Sequence, residues 1–128
     1  MIKVFIGHLL WVVWLLILSI LSLTPGDNLP DIEFHLFGLD KLIHFIFYFI
    51  LVILMSIGFR LKKSEPFYKS IVWIVVTGVF IGWSIEFVQG NYVTNRQFEY
   101  SDIIANSLGT VVGMLIYVKY LINNYKFW

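Results

Sequence analysis

Residues 38–48 read GLDKLIHFIFY, so a charged turn runs directly into a long apolar segment. Lys41, His44 and Tyr48 lie at positions i, i+3 and i+7, which share one face of an α-helix. The other positions after the turn are aliphatic or aromatic. Ionisable groups at membrane depth are costly unless they face the interior of a helix bundle or a wet cavity. This face therefore predicts a functional site within a membrane helix bundle.

The composition of the whole chain is typical of a membrane protein. Of its 128 residues, 59% are hydrophobic and only 13% are charged, whereas a soluble domain of this size needs far more polar surface. The chain has no cysteine and no run rich in lysine and arginine. We therefore expect no thiolate chemistry and no nucleic-acid partner. At this length we expect a single domain, residues 1–128.

Four apolar segments are long enough to cross the hydrocarbon core of a bilayer, which takes about 20 residues. They cover residues 4–23, 40–59, 70–89 and 101–122, with turn-forming or charged residues between them. Asp40 and Ser101 are suitable helix N-caps, and Gly90-Asn91 supplies a stop signal after the third segment. The predicted fold class is all-α, a four-helix transmembrane bundle.

The distribution of positive charges predicts the orientation. With both termini in the cytoplasm, seven lysines and arginines lie inside, and only Lys41 and Arg96 lie outside, as the positive-inside rule requires. The seven are Lys3, Arg60, Lys62, Lys63, Lys69, Lys119 and Lys126. The predicted localisation is the cell membrane, as a multi-pass protein.

This topology brings polar residues from three spans to one depth near the outer surface. They are Lys41 and His44 of span two, Glu86 and Gln89 of span three, Arg96 of the next loop, and Asp102 and Asn106 of span four. In an enzyme, Lys41 and Arg96 would bind phosphate, helped by the N-terminal ends of spans two and four. His44 with Glu86 or Asp102 would transfer protons. Tyr48, Gln89 and Asn106 would bind the substrate.

Glycines continue the polar faces of spans three and four toward the bilayer centre. Gly78 and Gly82 precede Glu86 at steps of four residues, and Gly109 and Gly113 follow in span four. Such small-residue stripes let transmembrane helices approach closely. We expect them to pack span three against span four and so to position the polar cavity. The alternative is a homodimer contact through the same stripes.

Other kinds of site fit these residues less well. A metal centre of His44, Glu86 and Asp102 lacks a ligand spacing such as H-E-x-x-H, so we assign no metal and no cofactor. No serine lies in a G-x-S-x-G elbow. A transporter would carry charge near the bilayer midplane, whereas these polar residues lie at one end. An enzyme and a non-catalytic binding protein are both left open.

The combined pattern resembles the VanZ-like family of small bacterial membrane proteins. The matching elements are Asp40-Lys41-x-x-His44 with Tyr48, Glu86-x-x-Gln89, Arg96 followed by Asp102, and Asn106-x-x-Gly109-x-x-x-Gly113. The resemblance implies a protein of the bacterial cell envelope, linked to tolerance of teicoplanin or another lipoglycopeptide antibiotic. It also implies likeness to a wider group suggested to act on lipid-linked head groups. The expected partner is a membrane lipid, a lipid-linked envelope precursor or the lipoglycopeptide, which a non-catalytic protein would bind or shield.

Overall fold

The computed structural model describes residues 2–28, 38–60 and 67–124, which form four long helices and no strand. The helices are α1 (Ile2–Ser22), α2 (Leu39–Arg60), α3 (Phe67–Tyr92) and α4 (Tyr100–Asn124). A 3-10 turn, Gly26–Asn28, follows α1. Each long helix contains an apolar stretch of sufficient length to cross a membrane. The predicted all-α fold with four spanning helices is confirmed, while the side on which the termini lie stays a prediction.

The third helix runs past the expected stop signal. α3 continues through Gly90 and Asn91 and ends at Tyr92. Gly90 serves close packing and does not end the helix, because a Cβ at this position would lie 2.6 Å from the backbone nitrogen of Phe98. The connection between α3 and α4 therefore passes directly against the last turns of α3.

The N-caps predicted at Asp40 and Ser101 are wrong by two residues. At the start of α2, the amide of Leu42 donates a hydrogen bond to the carbonyl of Gly38 at 2.8 Å. At the start of α4, the amide of Ile103 donates to the carbonyl of Glu99 at 3.4 Å. Gly38 has a φ of +116°, a conformation that glycine adopts without steric cost. Asp40 consequently lies inside the first turn of α2.

α2 is the central helix of the bundle. It packs most extensively against α4 and also contacts α1 and α3. The buried core consists of Leu18, Tyr48, Leu51, Val52, Met55, Ile74 and Met114. Many large apolar side chains instead point outward, including Leu16 on α1 and Phe80 on α3. Soluble monomers rarely expose so large an apolar surface, so the outer face is suited to lipid.

The two glycines of α3 make the expected contact with α4. A Cβ on Gly78 would lie 2.9 Å from Cγ2 of Thr110, and a Cβ on Gly82 would lie 3.0 Å from Cβ of Asn106. The absence of side chains at these two positions lets α3 and α4 approach closely. The seam between α3 and α4 leads directly to Asn106, one of the predicted site residues.

The two glycines of α4 serve a different interface from the expected one. A Cβ on Gly109 would overlap the carbonyl oxygen of Phe45, and a Cβ on Gly113 would lie 2.9 Å from the carbonyl oxygen of Phe49. These glycines therefore bring α4 close to the backbone of α2, not of α3. Because α2 of the same chain already covers Gly109 and Gly113, these glycines are not available for a contact with a second chain. The homodimer stays a prediction and would use another surface.

Gly109→Ala is expected to destabilise the bundle by about 1–2 kcal/mol. Alanine favours a helix over glycine by about 1 kcal/mol, but overpacking typically costs about 1–3 kcal/mol. Here the obstacle is the backbone of Phe45, which cannot move without separating α2 from α4. Thermal unfolding of the purified protein in detergent measures the change. Leu108→Ala, on the exposed side of α4, is the control, and equal midpoints for the two variants would contradict the close α2–α4 contact.

Candidate functional site

The N-terminal ends of α2 and α4 meet the C-terminal end of α3 at one end of the bundle. The connection between α3 and α4, residues 93–99, is attached there to the segment after α1. Asn95 Nδ2 donates to Asp27 Oδ1 at 2.5 Å, and Arg96 Nε donates to the carbonyl of Thr24 at 3.4 Å. These bonds hold the connection over the polar ends of the helices.

Lys41 joins the first turns of α2 and α4. Its Nζ lies 3.2 Å from Asp40 Oδ2, 2.6 Å from Glu99 Oε2 and 2.9 Å from Asp102 Oδ1. The hydrogen bond from the Lys41 ammonium holds the pKa of Glu99 below its usual value, because it stabilises the ionised carboxylate. Ser101 donates to the same Glu99 oxygen at 3.2 Å. Three carboxylates thus share one ammonium group, which is largely neutralised within the chain.

His44 is buried between α2 and α4, about one turn further along α2 than Lys41. Its Nδ1 lies 3.1 Å from Asn106 Oδ1, and the two form a hydrogen bond in the tautomer that carries the proton on Nδ1. Its Nε2 lies 3.7 Å from both Asp40 Oδ1 and Asp102 Oδ2, which is beyond hydrogen-bonding distance. Each of the two aspartates therefore directs one oxygen toward Lys41 and the other toward His44.

α3 contributes two buried polar side chains, Glu86 and Gln89. Oε1 of Glu86 accepts a hydrogen bond from the backbone amide of Glu99 at 2.9 Å. Neither Oε2 of Glu86 nor Oε1 of Gln89 has a hydrogen-bond partner among the residues that the structure describes. A buried polar group without a partner costs about 1–3 kcal/mol. These two oxygens are therefore better explained by a ligand or a reaction than by stability.

Tyr48 lies beside Asn106, at the level of Gly82 in α3. A Cβ on Gly82 would lie 3.3 Å from Cε1 of Tyr48, so the tyrosine ring packs against α3 one turn before Glu86. The Tyr48 hydroxyl is buried, and within the described part of the chain it has no hydrogen-bond partner. Tyr48 thus closes the apolar side of the site.

A polar cavity of about 220 Å³ opens at this end of the bundle. It is lined by Asp40, Gln89, Asn95, Arg96, Gln97, Glu99 and Asp102. The sequence predicts that Lys41 and Arg96 bind a phosphate or other anion here. The cavity instead carries three carboxylates and one guanidinium on its wall, while the Lys41 ammonium is already paired with those carboxylates. The charge balance of the site is therefore negative.

The structure brings the predicted site residues to one end of the bundle. Direct contacts join Lys41, His44, Asp102 and Asn106. Gln89 and Arg96 line the cavity. Glu86 is connected to the cavity through its hydrogen bond with Glu99, and Tyr48 packs against α3 next to Asn106. Two further residues were missed. The i, i+4 spacing of Asp40 and His44, which places both on one helix face, could have revealed Asp40. Nothing in the sequence pattern singles out Glu99.

Comparison with known proteins identifies the family. Residues 5–123 match the model of the VanZ/LLP1 family. An uncharacterised protein of the fission yeast Schizosaccharomyces pombe is 32% identical over 111 residues, which cover 87% of this chain and 62% of the yeast protein. No solved structure matches the chain. Because the family match covers nearly all of the sequence, and four of its helices can span a membrane, the chain is a multi-pass membrane protein that belongs to the VanZ/LLP1 family.

Proposed function

We propose that the protein is a membrane enzyme that hydrolyses or transfers the phosphate-linked head group of a lipid. The observation that carries this proposal is that two buried side chains, His44 and Asp102, lie 3.7 Å apart. They lie beside a polar cavity at the end of a spanning bundle. Acid–base chemistry needs two such groups within reach of one substrate. With both termini in the cytoplasm, the cavity would face the outer leaflet.

The chemistry can be written for hydrolysis. The oxygen of a water molecule bonds to phosphorus, and the bond between phosphorus and the ester oxygen of the leaving alcohol breaks. A base takes the proton from the water, and an acid gives a proton to the leaving oxygen. His44 and Asp102 would fill these two roles, Lys41 would position Asp102, and Arg96 would bind the phosphate. In a transfer reaction, the hydroxyl group of an acceptor replaces the water.

An apolar groove on the outside of α3 and α4 supports a lipid as the substrate. The groove has a volume of about 440 Å³ and is lined by Val75, Val76, Val79, Phe80, Trp83 and Ile103. Ile103 directly follows Asp102 in the chain, so the groove begins near the depth of the polar cavity. An acyl chain in this groove would leave its head group close to the cavity.

The yeast relative bears on the class of substrate. Yeasts make no peptidoglycan, whereas phospholipids occur in both yeasts and bacteria. We therefore favour a membrane lipid over a lipid-linked envelope precursor as the substrate. In a bacterial cell membrane, altered lipid head groups would account for the teicoplanin tolerance that the resemblance to VanZ-like proteins implies.

The proposal can be tested with the purified full chain in mixed detergent and phospholipid micelles. Mass spectrometry would measure the released head groups and the remaining lipids. His44→Gln is expected to lower the conversion by about 10²-fold or more, because general acid–base catalysis typically contributes about 10²–10⁴-fold. His8→Gln is the matched control, since His8 lies near the start of α1, where it accepts a hydrogen bond from Trp11.

The same experiment separates the enzyme from the alternative function. A wild-type protein that binds lipid without converting any of the phospholipids supplied would support a binding or shielding protein for a lipid, an envelope precursor or a lipoglycopeptide. Equal conversion by the wild type and His44→Gln would remove His44 from the mechanism. Conversion that depends on His44 but not on His8 would establish the enzyme.

A further inference from the structure

We propose that Asp40, His44 and Asp102 bind a divalent transition-metal ion of the Mn²⁺ or Zn²⁺ class. One candidate ligand atom from each residue lies within 4.8 Å of the others. The set combines two residues of α2 with one of α4, so no short sequence motif reveals it. His44 and Asp102 are buried, and Asp40 is partly buried at the cavity wall.

The distances between these atoms suit a metal ion better than a direct hydrogen bond. His44 Nε2 lies 3.7 Å from Asp40 Oδ1 and 3.7 Å from Asp102 Oδ2. Ligands at about 2.0–2.2 Å from a metal ion stand roughly 3.0–3.6 Å apart in tetrahedral or octahedral geometry. Small side-chain movements would therefore bring His44 Nε2 and each aspartate oxygen to the spacing of metal ligands. In the tautomer with the proton on Nδ1, the Nε2 lone pair faces two carboxylate oxygens, an arrangement that a cation between them would stabilise.

The surrounding residues already orient the three ligands. Metal-binding histidines usually donate their second ring N–H to an oxygen atom, which fixes the ring, and here Nδ1 of His44 meets Asn106 Oδ1 at 3.1 Å. The ammonium of Lys41 contacts the second oxygen of each aspartate. That contact leaves the oxygens Asp40 Oδ1 and Asp102 Oδ2 free to face the imidazole.

Charge and an unpaired oxygen provide two independent arguments for the ion. Lys41 and Arg96 carry two positive charges against the three negative charges of Asp40, Glu99 and Asp102, so the group keeps a net negative charge that a cation would offset. Gln89 is only 3% exposed and lines the same cavity as the two aspartates. Its Oε1 has no partner among the described residues, which makes it a candidate fourth ligand. One imidazole with oxygen ligands suits Mn²⁺ or Zn²⁺.

Binding of the ion does not require the proposed head-group chemistry. The site could hold a metal in a binding protein as well as in an enzyme. An ion held by His44 and Asp102 would occupy the groups of the acid–base scheme above, so in an enzyme a water bound to the ion would take over that role, and the ion would supply the positive charge that the cavity lacks for a phosphate group.

Electron paramagnetic resonance (EPR) with Mn²⁺ tests the proposal without lipid. The full chain, purified in detergent and treated with a chelator that is then removed, is titrated with Mn²⁺, whose free signal is lost on binding. We expect one Mn²⁺ per chain, with pulsed EPR showing coupling to the nitrogen of one imidazole. His44→Gln should abolish that coupling. Asp40→Asn should weaken Mn²⁺ binding by at least about 10–100-fold.

Two matched variants control for charge and for histidine content. Glu65→Gln removes an acid from the connection between α2 and α3, and His8→Gln removes a histidine of α1; both should bind Mn²⁺ like the wild type. Absence of stoichiometric binding, absence of nitrogen coupling, or unchanged coupling in His44→Gln would each overturn the metal site. Because the wild type alone gives the first two readouts, the proposal stays testable even if a variant fails to fold.

Discussion

Asp102→Asn is expected to lower the rate of head-group conversion by about 10²–10⁴-fold, the usual contribution of acid–base catalysis. Asp102 is the residue at which the contacts of Lys41 and His44 meet, since its Oδ1 lies 2.9 Å from the ammonium and its Oδ2 lies 3.7 Å from the imidazole. Asparagine preserves the shape of the side chain. It removes the negative charge and the proton acceptor, and it also weakens the proposed metal site.

Two further variants separate this effect from a folding defect. Glu65→Gln makes the same kind of change at an acid between α2 and α3 and should leave the rate unchanged. Asp102→Glu restores the charge at a slightly different position, so part of the rate should return. The rates are measured by mass spectrometry of lipid products, and circular dichroism follows helix content. A normal rate for a folded Asp102→Asn protein would show that this carboxylate takes no part in catalysis.

The four helices could be predicted because a bilayer imposes a minimum length on each span and turn formers mark the ends. The predicted spans 4–23 and 70–89 correspond to Ile2–Ser22 and Phe67–Tyr92. Each boundary differs by no more than a few residues. The common depth of the site residues was also predictable, because depth along a helix depends only on the rise per residue.

Partners across the bundle could not be predicted, because they depend on how each helix is rotated about its axis. Lys41 pairs with Glu99, which lies 58 positions away in the sequence. The same limitation explains the wrong prediction for Gly109. We expected this glycine to bring α4 close to α3, but it lies against the backbone of α2. A stripe of glycines indicates close packing without identifying the helix that fills it.

The ion pairs of Lys41 could not be predicted for a related reason. Counting Lys41 and Arg96 as anion-binding groups assumes that their charges are available. The structure shows Lys41 held by three carboxylates, one of them from Glu99, which the sequence pattern did not place at the site. A phosphate would therefore meet a cavity in which Lys41 is already paired and in which Arg96 is the cation left to bind it. A bound divalent ion would resolve this conflict between a phosphate-linked substrate and acidic walls.

Glu86→Gln is expected to make the protein more stable and less active at the same time. Glu86 is 0% exposed, and its Oε2 has no partner among the described residues. Burial of a charged group without full pairing is costly. The amide keeps the acceptor for the backbone N–H of Glu99 and removes the charge, so unfolding should require about 1 kcal/mol more. If Glu86 assists proton transfer, conversion should fall by about 10²-fold or more.

Glu86→Ala distinguishes the two effects. It also removes the carboxylate, but it leaves a cavity and deprives the Glu99 amide, at the start of α4, of the oxygen 2.9 Å away. We expect Glu86→Ala to be inactive and less stable than the wild type by about 2 kcal/mol or more, so the two variants should move the unfolding midpoint in opposite directions while both lose activity. Full activity in Glu86→Gln would mean that the carboxylate serves only to hold α4. Lower stability in both variants would mean that the buried charge is better paired than its contacts indicate.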